Sequence, residues 1–154
     1  MKFDGEITVP APRDAVFDKV RDARTFAACV DGVSELSEND PTHYSAMLET
    51  KIAYLRFKFK VAVEVVSIER PTRIEAKIEG APLGIVGRLT AISVTTLDQV
   101  GGETHIRYVV DVALTGKLGA MGQPVLRAKA KEMEKSFTEN LRRVFAPNAA
   151  EAPA

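Results

Sequence analysis

Few side chains in this sequence combine the types and spacing that catalysis or metal binding requires. The chain has one cysteine, Cys29, and two histidines, His43 and His105. Nucleophilic catalysis needs an activated nucleophile beside a base that a third group orients, and the sequence offers no such set. A metal site needs three or four convergent ligands, and the two histidines have no metal-binding spacing. We therefore interpret Cys29 as a small buried residue and the histidines as exposed polar residues at strand ends.

Carboxylates could supply acid–base chemistry instead, but most of them have the outward phase of predicted strands. We expect this outward set to face solvent and neighbouring lysines; it comprises Glu49, Glu64, Glu75, Glu79, Asp98 and Asp111. The polar residues with the inward phase are Tyr44, Thr50, Tyr54 and Tyr108. Their hydroxyl groups can orient a ligand by hydrogen bonding, but they are not strong acids or bases. The pattern favours ligand binding over catalysis.

Composition excludes several classes of function. The 154 residues contain 21 Lys and Arg against 21 Asp and Glu, so the basic excess of a nucleic-acid-binding protein is missing. One cysteine rules out an internal disulfide, and the sequence shows neither a signal peptide nor an apolar run of the roughly 18 residues that span a bilayer. We expect a cytoplasmic protein that at most contacts the inner face of the membrane peripherally. We also expect one domain over 1–146 and a disordered tail over 147–154.

Strands and a closing helix must position these side chains. Residues 3–9 alternate apolar and polar types, which predicts a strand, and 14–22 and 24–29 predict two short helices. After them, Pro and Gly breaks divide the chain into six strands, at roughly 33–38, 43–54, 56–69, 73–80, 86–97 and 104–115. The inward face of the strand over 86–97 stays open, because Leu89 and Ala91 oppose Ile92 and Val94 in phase.

A helical pattern from about Lys117 to Phe145 ends the chain. Apolar residues recur there at three- and four-residue steps, and charged residues fill the gaps. At about 1.5 Å per residue this helix would be roughly 43 Å long, and the preceding strands are the available partner for its apolar face. The pattern predicts an α+β helix-grip fold, a seven-stranded antiparallel sheet wrapped around a long C-terminal helix.

The order of elements and several short motifs resemble a known family. The order is that of the START-like (SRPBCC) helix-grip superfamily. Within it, the chain resembles the family of the carbon monoxide dehydrogenase G subunit in four segments, which are Val9-Pro-Ala-Pro12, Ala27-Ala-Cys-Val-Asp-Gly32, Gly116-Lys-Leu-Gly-Ala-Met-Gly122, and Phe137 with Asn140-Leu141. The resemblance implies a non-catalytic protein that recruits a molybdenum-containing carbon monoxide dehydrogenase or hydroxylase to the membrane. It also implies a quinone-type electron acceptor as the ligand.

We expect a lipophilic ligand to lie between the sheet and the long helix, with no metal and no covalently bound cofactor. The candidate ligand-binding residues are inward strand positions, anchors of the short helices and the apolar face of the long helix: Phe17, Phe26, Tyr44, Leu48, Thr50, Ile52, Tyr54, Phe57, Ile78, Tyr108, Met121, Val125, Leu126, Ala130, Met133 and Phe137. Ala130 is small and in helical phase with Leu126 and Met133, so its face is expected to border open volume. A quinone ring on an isoprenoid tail would suit such a lining.

Two segments have alternative interpretations. The loop over 80–84 is either an ordinary tight turn or a mobile flap that forms a gate together with the glycines of 116–122. Arg56, Lys58 and Lys60 alternate with apolar residues and form an outward stripe. This stripe either keeps an exposed strand soluble or docks the protein onto anionic lipid or an acidic partner.

Two other classes of function remain open beside the carrier. A START-like enzyme of the cyclase or hydrolase type would need an ionisable inward residue with a perturbed pKa. A pure assembly factor would have a filled core and an exposed apolar patch instead of a cavity. The inward residues decide between these classes, and their surroundings depend on the tertiary structure.

Overall fold

A computed structural model describes residues 1–145 of the chain. Its elements, in chain order, are β1 (Lys2–Val9), α1 (Arg13–Arg21), α2 (Ala23–Cys29), β2 (Val33–Asp40), β3 (His43–Ile52), β4 (Leu55–Glu69), β5 (Arg73–Pro82), β6 (Gly87–Val100), β7 (Glu103–Thr115), α3 (Gly116–Gly119) and α4 (Gln123–Val144). The seven strands form one antiparallel sheet in the order β1-β7-β6-β5-β4-β3-β2, which curves around α4. This is the predicted α+β helix-grip fold. The tail predicted over 147–154 lies outside the described residues.

Cross-strand register resolves the face of β6 that the alternation left open. Leu97 is opposite the inward Ile106 of β7 and is 1 % exposed. Leu89 has the same phase and is opposite Gly80 of β5, whereas Ile92 is exposed. Neighbouring strands of an antiparallel sheet keep directly opposed residues on one face, so the odd-numbered residues of β6 face α4.

The prediction of a single helix from Lys117 to Phe145 is wrong, because the chain forms the short α3 and then the separate α4. Gly122, between them, has a φ of +86°, a left-handed conformation that glycine adopts readily. Pro124 follows in the first turn of α4, where its missing N–H costs no helical hydrogen bond. The 22 residues of α4 make it about 33 Å long. The break lets Leu118 of α3 pack beneath the sheet, where it is 2 % exposed.

One end of the molecule, which we call the core end, is closely packed. The core there joins β1, α1, α2, β6, β7 and α4 through Ile7, Val9, Ala11, Val16, Phe17, Cys29, Leu97, Ile106 and Leu141. Two hydrogen bonds also hold α4 at this end. Asn140 Nδ2 donates to the carbonyl oxygen of Cys29 at 2.9 Å, and Arg142 Nε donates to that of Thr8 at 3.0 Å.

The opposite end, which we call the turn end, contains the β3–β4 and β5–β6 turns. A smaller core lies beneath them and consists of Ile52, Phe57, Phe59 and Leu118. Large apolar side chains nevertheless face solvent in both turns, with exposed fractions of 88 % for Tyr54, 55 % for Leu55, 54 % for Leu83 and 84 % for Val86. The two turns lie near each other, since Ile85 packs against the same smaller core.

Candidate ligand-binding site

A cavity of about 640 Å³ separates the concave face of the sheet from α4. It reaches from Ile7 and Ile106 at the core end to Ile52 and Leu118 at the turn end. Several predicted ligand-binding residues line it, namely Phe26, Leu48, Thr50, Ile52, Tyr108, Leu126, Ala130, Met133 and Phe137. The structure thus brings together residues from α2, β3, β7 and α4 around one mostly apolar space.

Four of the predicted residues pack into cores and do not line the cavity. Phe17 is fully buried in the core end. Phe57 belongs to the smaller core of the turn end, and Met121 and Val125 pack against it. Their apolar side chains join neighbouring elements, because Phe17 anchors α1 in the core end and the break before α4 places Met121 and Val125 next to α3.

Three other predicted residues also lie away from the cavity. Tyr54 is 88 % exposed because the two-residue turn, with Ala53 at a φ of +57°, ends the alternation of β3 at Ile52. Tyr44 and Ile78 do have the inward phase, and both are opposite Val63 of β4. The cavity does not reach this part of the sheet. Strand phase predicts the face of a residue, but not its distance from α4.

The cavity has a polar point formed by Tyr108 of β7 and Glu134 of α4, both of which are half-buried. The Tyr108 hydroxyl and Oε1 of Glu134 both approach Gly5, which places the hydroxyl beside a carboxylate that can accept its hydrogen. Burial, and then the negative charge of Glu134 and this hydrogen bond, raise the pKa of Tyr108. Tyr108 therefore keeps its proton at neutral pH and remains a hydrogen-bond donor to Glu134.

Gly5 of β1 provides the space for this pair. It is directly opposite Tyr108 in the register of β1 and β7. A Cβ at this position would overlap both the hydroxyl oxygen of Tyr108 and Oε1 of Glu134. Gly5 is not among the glycines with positive φ, so its backbone does not require glycine. The glycine is explained by the close approach of the two side chains.

The other charged residues of the lining have partners of their own. Lys129 Nζ donates to Glu132 Oε2 at 2.6 Å on the same helix. Asp31 accepts hydrogen bonds from Ser136 Oγ and, at 3.0 Å, from Asn140 Nδ2. These two hydrogen bonds lower the pKa of Asp31. Across residues 1–145, in contrast, Glu134 takes part in no salt bridge.

Sequence reasoning missed Glu134 because it assigned the charged residues of α4 to the solvent-facing side. Two signals could have identified it. Glu134 follows Ala130 by four residues and so shares its face of the helix. Gly5 occupies an inward position in the middle of a strand, which indicates a close approach by another group. The other lining residues were not among the candidate ligand-binding residues; they are Phe3, Ile7, Val20, Val30, Asp31, Phe59, Leu89, Thr95, Ile106, Val110, Val112, Leu114, Leu118, Lys129, Glu132 and Ser136.

Cys29 and the histidines lie outside the cavity lining. Cys29 is 1 % exposed, and burial raises the pKa of its thiol. His43 is exposed at the start of β3, where its Nδ1 lies 2.9 Å from Asp40 Oδ1 and its Nε2 lies 3.6 Å from Glu64 Oε2. The hydrogen bond to Asp40 raises the pKa of His43 and lowers that of Asp40 to about 2. Within residues 1–145, no group of His, Cys, Asp and Glu side chains is arranged to hold a metal ion.

A basic stripe, formed by Arg56, Lys58 and Lys60, is exposed on the outer face of β4. Lys51 of β3 extends it opposite Arg56, and Glu49 partly neutralises it through an ion pair of 3.4 Å with Arg56. The stripe begins next to the exposed apolar side chains of the turn end. None of the helices in residues 1–145 is both long and apolar enough to cross a membrane.

The family is identified by comparison with known sequences. The model of the CoxG family, described as the G subunit of carbon monoxide dehydrogenase, matches residues 5–146. The chain belongs to the CoxG family. No curated protein matches the chain. The matched range includes Gly5, Tyr108, Glu134 and the whole of α4, so the residues of the polar point lie inside the family domain.

Solved structures similar to this CoxG-family chain share its fold. A conserved protein from Geobacillus kaustophilus is 23 % identical, with a TM-score of 0.88 and coverage of 96 % of this chain and 97 % of that chain. The Zhui aromatase/cyclase from Streptomyces sp. R1128 is 14 % identical, with a TM-score of 0.69 and coverage of 97 % and 95 %. A START superfamily protein from Mycobacterium smegmatis is 13 % identical, with a TM-score of 0.68 and coverage of 92 % and 94 %. At these identities the similarity shows the START-like fold alone.

Proposed function

We propose that this CoxG-family protein is a non-catalytic carrier of a quinone-type lipophilic molecule. In this role it recruits a molybdenum-containing carbon monoxide dehydrogenase or related hydroxylase to the membrane. The observation that carries the proposal is the mostly apolar cavity of about 640 Å³ between sheet and helix. Ligand sites in proteins are usually apolar spaces of about 300–1,000 Å³ with a few convergent polar groups. A pure assembly factor would not need such an internal space.

The carrier function is tested by filling the cavity. Ala130 lines the cavity and Ala128 is exposed on the same helix. We expect Ala130→Trp to remove co-purified lipophile with little change in melting temperature, because the ring would enter open volume. Ala128→Trp is the matched control and should retain the lipophile. Mass spectrometry of lipid extracts and thermal melting measure the two effects. Absence of lipophile from the parent protein, together with a sharply lowered melting temperature for Ala130→Trp, would contradict the proposal.

Glu134 supports a second candidate, an enzyme of the cyclase type. An ionisable group in an apolar cavity can act as a general acid or base. The raised pKa of Tyr108 argues against this candidate, because a phenol that holds its proton tightly is a poor acid, and neither histidine lines the cavity. Recovery of the lipophile chemically unchanged after incubation supports the carrier. Conversion of the lipophile that Glu134→Gln abolishes would support the enzyme.

The membrane part of the proposal is supported by the basic stripe and the exposed apolar turns. Each basic residue near an anionic membrane contributes about 1 kcal/mol, and apolar side chains at the same end can enter the interface. The occupant of this surface is therefore proposed to be an anionic lipid bilayer. We expect reversal of Arg56, Lys58 and Lys60 to Glu to abolish co-sedimentation with anionic vesicles, and added salt to weaken the parent's binding. Equal binding by parent and variant would show that the stripe only faces solvent and does not bind the membrane.

A further inference from the structure

The Tyr108–Glu134 pair can accept hydrogen bonds from a ligand but has no hydrogen left to donate to one. A carboxylate only accepts hydrogen bonds and has about four lone-pair sites. Tyr108 has a single O–H, and the Glu134 carboxylate beside it over Gly5 is its charged acceptor. The oxygen of Tyr108 can then only accept further hydrogen bonds. Toward the cavity, the pair presents acceptors and no donor.

Nearby cations do not change this property. Lys129 lies on the same helix but donates to Glu132. Arg127 lies over the ring of Phe3, at 5.3 Å from its centre, and donates to the carbonyl oxygen of Lys2 at 3.2 Å. Both side chains are engaged away from Glu134. The carboxylate is therefore available to a donor on a bound molecule.

Other polar groups of the cavity are less selective. Thr50 and Thr95 both line it, and Thr95 is opposite Tyr108 in the register of β6 and β7. A threonine hydroxyl donates and accepts, so it can serve a carbonyl or a hydroxyl. A hydrogen bond to an ionised acceptor is roughly twice as strong as one between neutral groups. The carboxylate should therefore dominate the choice between ligands.

We propose that the Tyr108–Glu134 pair is an acceptor site for a ligand hydroxyl group. By this proposal the cavity prefers a lipophilic phenol or hydroquinol over the corresponding ether or quinone. The proposal rests on the proposed carrier function, since it requires a lipophile in the cavity. It also predicts which redox form of a quinone-type ligand binds more tightly. This form is the hydroquinol, the product of a two-electron reduction of the quinone.

The test compares two probes that differ in one hydrogen-bond donor, para-decylphenol and para-decylanisole. Both are measured by titration calorimetry against the full-length protein. We expect the phenol to bind at least about tenfold more tightly than the anisole, because the free energy of a hydrogen bond to a charged acceptor corresponds to at least this ratio of dissociation constants. Decylhydroquinone and decylbenzoquinone, the second pair of probes, should show the same order.

Two variants assign the preference to the pair. Glu134→Gln keeps the shape of the side chain but adds a donor and removes the charge, so the preference should fall to within about threefold. Glu139→Gln on the exposed face of α4 is the matched control and should keep the full preference. Gly5→Ala should also reduce the preference, because its Cβ displaces both oxygens. Gly102→Ala is its control, since a Cβ there meets no atom within 4 Å.

The outcomes separate this proposal from the carrier function. A tenfold preference that Glu134→Gln removes and Glu139→Gln retains supports the acceptor site. Equal binding of both probes by the parent protein overturns the acceptor site alone and leaves the carrier function standing. A preference that survives in Glu134→Gln also overturns it. If the parent protein binds neither probe, both the acceptor site and the carrier function are contradicted.

Discussion

The core end and the turn end of the molecule use their apolar residues in opposite ways. At the core end, Val9, Phe17 and Leu141 are at most 1 % exposed, and side-chain hydrogen bonds from α4 reach the carbonyl oxygens of Thr8 and Cys29. At the turn end, large apolar side chains face solvent on two neighbouring turns, beside the basic stripe. The cavity lies between the two ends. The difference indicates that the core end provides most of the stability, whereas the turn end leaves apolar side chains exposed to solvent.

The backbone at the turn end contains a break between two helices and a close contact between two glycines. α3 and α4 are separated at Gly122, and Gly87 and Gly116 approach so closely that a Cβ on either would overlap the backbone of the other segment. The β5–β6 turn is held by hydrogen bonds from Leu83 N to Lys58 O at 2.8 Å and from Lys117 N to Val86 O at 3.2 Å. The structure thus ties the turn to both β4 and α3. Whether the turn also opens as a gate stays a prediction.

The largest effect that tests the comparison is expected at Leu141. Leu141→Ala should lower the free energy of unfolding by about 2–5 kcal/mol, because it leaves a void in the core end. Chemical denaturation monitored by circular dichroism measures the loss. Val144→Ala, three residues later and 41 % exposed, is the control and should change the free energy of unfolding by less than about 0.5 kcal/mol. Similar losses for the two variants would mean that the core end is not the main source of stability.

A smaller effect is expected at Asn140. Asn140→Ala removes the part-buried hydrogen bond to the carbonyl oxygen of Cys29 and the exposed one to Asp31, and should lower the free energy of unfolding by about 1–3 kcal/mol. The same denaturation measurement applies. Gln123→Ala, at the exposed start of α4, is the control. An unchanged midpoint for Asn140→Ala would show that the hydrogen bond to Cys29 does not contribute to holding α4 at the core end.

A pH-dependent and still smaller effect is expected from His43, which is exposed. Its pKa in the folded protein is raised above its usual value of 6.5, so its pairing with Asp40 stabilises the fold below that value. This stabilisation is lost as the pH rises through the folded-state pKa. His43→Gln should therefore lower the melting temperature slightly at about pH 5.5 and leave it unchanged at about pH 9. A decrease of equal size at both pH values would contradict this assignment.

The smallest effect on stability is expected at the turn end itself. Replacing Leu55, Leu83 and Val86 by Ser should change the melting temperature little, because these side chains are already exposed. The same triple variant should bind anionic vesicles less well than the parent. Ile92→Ser, on the outer face of β6 and 48 % exposed, is a control that should leave vesicle binding unchanged. A large loss of stability without loss of vesicle binding would reverse the roles given to the two ends.

Sequence periodicity predicted the strands and the buried face of the closing helix well, and the reason is local. Alternation along a strand and three- to four-residue steps along a helix are properties of each element by itself. The outward phase of Arg56, Lys58 and Lys60 and the inward phase of Leu48 and Thr50 follow from them. The break at Gly122 was missed as a helix boundary because the apolar pattern continues through it from α3 into α4.

The sequence by itself determined the fold class, the family and the mostly apolar character of the space between sheet and helix. The tertiary structure decided which inward residues pack and which border that space. Phe17 and Phe57 have the apolar character of lining residues, yet neighbouring elements cover them. The charge pattern of α4 predicts a solvent-facing Glu134, yet this residue meets Tyr108 over Gly5. The distance between two elements depends on every side chain between them, and no single segment of the sequence contains that information.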